Sequence, residues 1–331
     1  MSGKKLLITG ANGFVGSFLT QYAIDADFDT YAGVRASANL DYIKDLKSTI
    51  IHIDFTDEDK LRAQLKENAF DFIIHNAGIT RAKTQEEYHT VNAAYIFKMC
   101  KLLIEENVIP KKLIFTSSLA AYGPADYQMK QILDHDALPH PATMYGKSKL
   151  QAEKLIESLS RIPYIILRPT AVFGPREKDL FLSVKSINQN ICLKIGKEKQ
   201  YVSFIYVKDL AELMMHALES KISRKAYFVT DGKLYNIDTY NDIISDHLGK
   251  KPRVITIPLG LVKPIAYCAE LAGKISGNYP IINRDKMPEI TARNWNCDVS
   301  PLVKDFNFEP QYTLEEALKE TIDWYKEKQW I

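Results

Sequence analysis

The 331-residue chain has little that would mark a specialised class of protein. Its charges nearly cancel, with 43 Lys and Arg against 41 Asp and Glu for a net charge of +2. No basic run stands out, so the electrostatic footprint of a nucleic-acid binder is missing and nucleic acid is not an expected partner. The four cysteines, Cys100, Cys192, Cys268 and Cys297, form no C-x-x-C and have no histidine at ligand spacing. No metal site is expected from them; reduced, buried thiols are. Long hydrophobic runs are also absent. The apolar stretch after Lys4 and Lys5 stops at Thr9 and Gly10, too short for a signal-peptide core. Residues 258–275 are interrupted by Lys263, Glu270 and Lys274 and fall short of the roughly 20 apolar residues of a membrane span. A cytoplasmic protein with no membrane partner is expected. There is no internal repeat and no low-complexity segment.

What is present is ordinary globular composition, 46% hydrophobic and 25% charged, at a length that suggests about two lobes. Short runs rich in β-branched residues at 6–9, 30–34, 50–53, 72–75, 112–117 and 164–168 alternate with helical patterns, notably 14–23, 85–106 and 145–159. That alternation predicts an α/β fold, a doubly wound parallel (Rossmann) sheet of about six or seven strands, with its ligand at the carboxyl ends of the strands. After Pro169 the alternation weakens. Residues 1–170 read as a dinucleotide-binding domain and 171–331 mainly as a smaller substrate lobe, interleaved because 205–230 returns to the first domain.

The stretch Thr9-Gly10-Ala11-Asn12-Gly13-Phe14-Val15-Gly16 follows the first strand and opens the first helix. Gly10, Gly13 and Gly16 suit a tight turn, close approach to a pyrophosphate, and close helix–strand packing. The helix amino end then faces the phosphates. The second strand ends Gly33-Val34-Arg35 with no carboxylate at its tip, while Asp27 and Asp29 sit at its far end. Arg35 suits a 2′-phosphate, so NADP(H) is favoured over NAD(H). Asp54, followed by Phe55, either accepts from an adenine amine or caps the next helix.

Tyr145 and Lys149 are four residues apart, on one face of a helix, and Ser118 follows the fifth strand. A phenol of pKa near 10 must shift by about 3 units, or ~4 kcal/mol, to exchange protons near neutrality. One cation at ~4 Å and an effective dielectric of ~20 supplies about that much. Lys149 is thus assigned to Tyr145, Ser118 to the substrate oxygen, and Asn92 to a water relaying protons to Lys149.

These residues resemble the extended short-chain dehydrogenase/reductase superfamily, which includes nucleotide-sugar epimerases and dehydratases. The resemblance rests on the glycine turn, Asp54, His75-Asn76-Ala77-Gly78, Ser117-Ser118, Tyr145 to Lys149 with Glu153, Leu167 to Pro175, and Phe204 to Ala211. It implies cofactor contacts from Asn12, Phe14, Asn76, Ala77, Gly78, Thr116, Pro169 and Val172, and a homodimer formed through the helices containing Asn92 and Tyr145. Leu119-Ala120 replace the Asp-Glu pair of sugar 4,6-dehydratases. Ala171 replaces an Asn common in nucleotide-sugar enzymes, and 200–204 lacks their diphosphate Arg. The spelling is more similar to dihydroflavonol reductases and 3β-hydroxysteroid dehydrogenases. The implied activity is NAD(P)-dependent interconversion of a ketone and a secondary alcohol on a small-molecule substrate. Alternatives are a nucleotide-sugar epimerase with tightly bound NAD and a non-catalytic dinucleotide sensor. Candidate substrate contacts are Thr80, Arg81, Ser118, Tyr122, Ala171 and Arg176. The 123–144 connection, with Tyr127, Met129, Ile132 and Leu133, is a candidate lid, and Tyr267 and Leu271 of the 258–275 helix are further candidates.

Overall fold

Continuous apolar runs in a parallel sheet need cover on both faces, and the chain supplies it. The computed structural model describes residues 3–126, 132–276 and 283–331, without the side chains of 272–276. Seven strands form one sheet: β1 Lys5–Thr9, β2 Asp29–Val34, β3 Thr49–His52, β4 Phe72–His75, β5 Lys112–Thr116, β6 Tyr164–Pro169 and β7 Lys225–Val229. All pairings are parallel. The spatial order is β7-β6-β5-β4-β1-β2-β3. The chain starts in the middle, runs to one edge through β2 and β3, then reverses at β4. The crevice therefore opens at the carboxyl ends of β1 and β4.

Strand alternation sends successive side chains to opposite layers. Leu6 and Ile8 of β1 join Phe18 and Leu19 of the helix Phe14–Asp25 and Met214 of the helix Val207–Glu219. Leu7 joins Leu61 of the helix Glu58–Asn68, Met99 of the helix Tyr95–Glu105 and Ile156 of the helix Met144–Glu157. Val207–Glu219 packs against Phe14–Asp25, and β7 pairs with β6.

Outside that sheet lie three short strand pairs: Ala171–Phe173 with Phe204–Tyr206, Ile191–Ile195 with Arg253–Ile257, and Tyr201–Val202 with Tyr235–Asn236. Helix starts are set by local chemistry. Thr143 accepts from Gly146 N at the head of Met144–Glu157, and Thr313 forms a capping box with Glu316. Cys268 departs from the expectation of buried thiols. Cys100, Cys192 and Cys297 are buried, but Cys268 lies on the outer side of the helix Leu259–Ser276 and is exposed. Among the described residues there is no His/Cys/Asp/Glu cluster able to hold a metal ion. Tyr127 and Met129 lie outside the described residues. Leu133 is buried in a bridge to Cys297, whereas Ile132 is exposed.

Candidate active site

The glycine turn forms the crevice floor. Gly10 has φ +69°, and a Cβ there would lie 2.9 Å from Ala77 Cα, so only glycine lets the β1 and β4 ends meet. A Cβ on Gly16 would lie 2.1 Å from the Gly10 carbonyl oxygen, which fixes how closely the first helix approaches the turn. Gly13 opens that helix with no side-chain cap, leaving its first amides available to an anion. At the end of β5, Thr116 Oγ1 is buried without a partner. An uncapped helix end against a glycine floor and an unsatisfied hydroxyl beside it fit a dinucleotide.

Arg35, immediately after β2, is exposed and carries no side-chain bond or ion pair among the described residues. Asp54 is also exposed, and one of its oxygens accepts from Thr56 N at 2.8 Å and Thr56 Oγ1 at 2.6 Å. It closes a local turn, while Asp57 caps the next helix. Phe55 does not offer its ring to the crevice: it is buried and stacked on Tyr95 at 5.0 Å.

His75 ends β4 with no exposure, its Nδ1 3.1 Å from Thr9 Oγ1. Burial and the Lys149 ammonium lower its pKa from 6.5 to about 3. Between those values the unfolded chain binds the proton that the folded one refuses, so stability falls as pH drops through that window. Thermal melting from neutral pH down to about pH 4 is expected to show a falling midpoint that flattens in His75→Gln. An unchanged slope in the variant would place the acid sensitivity elsewhere.

Ser118 follows β5; its hydroxyl accepts from Ala120 N at 3.2 Å and lies near enough to the Tyr145 phenol to lower its pKa. Tyr145 and Lys149 project from the helix Met144–Glu157, as their spacing predicts. Lys149 Nζ, however, donates to the Thr116 carbonyl at 2.8 Å and lies 4.9 Å from the Phe115 ring centre. Burial lowers its pKa to about 8. The phenol is raised above its ordinary value, chiefly by burial and further by Glu289 and Tyr88, against the influence of Ser118, which lowers it. This corrects the arithmetic that set Lys149 directly beside the phenol: a buried ammonium must find an acceptor, and here it is a main-chain carbonyl.

Asn92 is committed elsewhere than to a proton relay. It lies in the π-helical turn Thr90–Ala94, accepts from Ile79 N at 2.8 Å, and donates to the Ile79 carbonyl and to Ser148 Oγ, each at 3.0 Å. It still borders Lys149, since a Cβ on Gly78 would sit 3.0 Å from Asn92 Oδ1 and 3.4 Å from Lys149 Nζ.

The candidate substrate contacts divide. Tyr122 is buried, edge-on to Phe228 at 5.0 Å with the Arg168 guanidinium 4.3 Å above its ring, so packing accounts for it. Arg81 is ion-paired to Asp179, which Lys286 also approaches at 3.4 Å, so its charge is already matched. Arg176, at φ +79°, donates to Ser17 Oγ at 2.7 Å and lies over Phe18 and Tyr42, which ties it to the phosphate-facing helix. Thr80 is exposed, its carbonyl accepting from the Tyr88 hydroxyl at 3.1 Å. Ala171 and Val172 lie in the short strand beside Phe204–Tyr206, and Asn12, Asn76, Ala77 and Gly78 sit on the turns after β1 and β4, while buried Pro169 ends β6.

Asp285 and Glu289 have no sequence signal. Asp285 accepts from Met144 N at 2.9 Å, and Glu289, held above the usual carboxylate range by burial, accepts from Thr143 Oγ1 at 2.5 Å. Both lie more than 140 residues along the chain from the head of the helix Met144–Glu157, on which they dock. Glu153 forms a buried pair with Arg168, with bonds of 2.8 to 3.1 Å, and also accepts from Ser117 Oγ.

Comparison with known proteins agrees with this geometry. The chain is 26% identical to an N-acetyl-alpha-D-glucosaminyl-diphospho-ditrans,octacis-undecaprenol 4-epimerase of Escherichia coli O157:H7, over 96% of this chain and 94% of that one. It is 25% identical to a 3 beta-hydroxysteroid dehydrogenase/Delta 5-->4-isomerase of Vaccinia virus, over 97% and 99%. Its fold matches UDP-glucose 4-epimerases of Thermotoga maritima, solved with UDP-glucose (TM-score 0.81, 17% identity, 98% and 99% covered), and of Thermus thermophilus, solved with NAD (0.77, 17%, 97% and 99%). Residues 6–237 match the family model, and the chain belongs to the NAD dependent epimerase/dehydratase family.

Proposed function

We propose that this chain is an NAD(P)-dependent oxidoreductase that interconverts a secondary alcohol and a ketone, with Tyr145 exchanging the hydroxyl proton. The observation that carries this reading is the place of Ser118 after β5 near the Tyr145 phenol, whose pKa it lowers against burial, with Lys149 on the Thr116 carbonyl. The dinucleotide, when bound, supplies or accepts the hydride at the reacting carbon. Ser118 donates to the substrate oxygen and fixes its place. Tyr145 moves the proton at that oxygen. Lys149 would help hold the dinucleotide, and its positive charge would offset the burial that otherwise keeps the phenol protonated. A homodimer through the helices containing Asn92 and Tyr145 is part of the same reading.

Arg35 supports NADP(H) as the cofactor. Its free guanidinium is expected to make NADPH bind roughly tenfold or more tightly than NADH, a margin that Arg35→Ala removes. Equal affinities in the parent protein would remove Arg35 from this role.

A second reading, epimerisation of a sugar diphosphate, is favoured by a cavity of about 510 Å³ in the second lobe lined in part by Lys263, Arg284 and Arg293, and by the relatives described above. A panel of steroids, flavonoid-like ketones and UDP-sugars separates the two. Net change in reduced nicotinamide supports the oxidoreductase. An isomerised sugar with tightly retained cofactor and no net redox change supports the epimerase.

A further inference from the structure

The Tyr145 phenol is only as well placed as the helix end that carries it, and two distant parts of the chain grip that end. Gly146 lies against the short turn Leu119–Ala121 that follows Ser118: a Cβ there would fall 2.2 Å from the Ala120 carbonyl oxygen. The segment 285–289 supplies the other grip. Asp285 accepts from the Met144 amide through both oxygens, at 2.9 and 3.2 Å. Glu289 accepts from the Thr143 hydroxyl at 2.5 Å, and that hydroxyl in turn accepts from the Gly146 amide at 3.0 Å. Tyr145 is therefore the residue between two clamped amides.

Thr143 is 1% exposed, so its single hydroxyl proton needs an acceptor inside the protein. A neutral amide oxygen would meet that need without the desolvation cost of a carboxylate. What the carboxylate adds is charge. Glu289 raises the Tyr145 pKa, and Tyr88 of the helix Gln85–His89 acts in the same direction, while Ser118 after β5 opposes both. Lys149 is turned to the Thr116 carbonyl. The other charged groups at this junction have partners of their own: Arg81 and Lys286 both meet Asp179, Arg284 meets Glu270, and Asp285, which Lys147 also influences, takes the Met144 amide. The same short helix, Met287–Ile290, lends Met287 to the wall of the 510 Å³ cavity.

We infer that Glu289 is a positioning residue for Tyr145, fixing through the Thr143 hydroxyl the helical turn from which the phenol leaves and adding a negative charge to the phenol's surroundings. This rests on the proton-transfer role proposed for Tyr145. Glu289 acts through Thr143 and through its field, so position and charge can be separated by substitution.

Glu289→Gln keeps a carbonyl oxygen for Thr143 and removes the charge; Glu289→Ala removes both. Hydrogen–deuterium exchange at residues 143–147 is expected to quicken roughly tenfold in Glu289→Ala and to return to the parent rate in Glu289→Gln. Reduction of the panel's steroid and flavonoid-like ketones by NADPH is then followed against pH. Its alkaline limb reports loss of the phenol proton. A nearby negative charge favours the protonated phenol, so removing it moves that limb to lower pH, by roughly 0.5 or more in Glu289→Gln. Glu289→Ala is expected to lower kcat roughly tenfold through misplacement of the phenol, and glutamine to recover most of that loss. A merely structural contact would be restored by glutamine with its pH profile intact, so a parent profile in Glu289→Gln overturns the inference. Parent exchange rates in Glu289→Ala overturn it as well. If the panel's ketones are not reduced, or Tyr145→Phe reduces them at the parent rate, the proposed function falls and this inference with it. If Tyr145→Phe is inactive and Glu289→Gln keeps the parent profile, this inference alone falls.

Discussion

Tyr145→Phe is expected to lower kcat by roughly 10²- to 10⁴-fold, the range for losing a positioned acid-base group, while dinucleotide affinity stays at the parent value. The change removes one oxygen and leaves the ring against Tyr88, 6.2 Å between centres, so the fold has no reason to move. Ser118 keeps the amide of Ala120, which donates to its hydroxyl at 3.2 Å. A barrier increase of about 3–5 kcal/mol corresponds to this loss. Stopped-flow or steady-state turnover, paired with fluorescence titration of NADPH, separates chemistry from binding. Normal turnover by the variant would require a different proton carrier, and Glu289 would be the first group to examine because it is buried near the phenol.

The largest loss of stability is expected at a pair that takes no part in the chemistry. Glu153 lies on the catalytic helix one turn after Lys149, and Arg168 lies on β6; their side chains are 2% and 4% exposed. The guanidinium also sits over Tyr122 and Phe228. Glu153→Ala leaves this charge buried without its carboxylate and is expected to cost about 3–5 kcal/mol. Glu153→Leu combined with Arg168→Met removes both charges and should recover most of that loss, because apolar groups of similar size avoid the desolvation penalty. Urea unfolding with a common m-value measures both. If Glu153→Ala unfolds at the parent midpoint, the pair is not holding the catalytic helix to the sheet.

Some features could be read from the chain before any coordinates, and others could not, for identifiable reasons. The Gly10–Gly16 turn is local: its strand, turn and helix lie within a dozen or so residues, so backbone demands appear directly as residue types. The Tyr145–Lys149 spacing likewise carries its own geometry because both lie on one helix. The strand at 72–75 can be placed to the residue because an apolar run flanked by polar turns has few alternatives. The direction of Lys149 was different. Helical spacing sets the side from which it leaves, but the deciding partner is the Thr116 carbonyl on another strand. Arg81 and Tyr122 were read as free to meet a ligand, yet Asp179 and Arg168 already occupy them. Neither partner is near in sequence.

The order of residues along the chain was enough to specify a parallel sheet, a tight glycine turn into the first helix, and a phenol and an amine leaving one helix from the same side, because each depends on contacts within one or two elements. Which charges are matched, which way the buried amine turns and how two distant carboxylates reach the head of the catalytic helix depended on the folded chain. Those outcomes come from desolvation: a polar group withdrawn from water takes whatever partner the packing brings within reach, and sequence distance does not enter that choice.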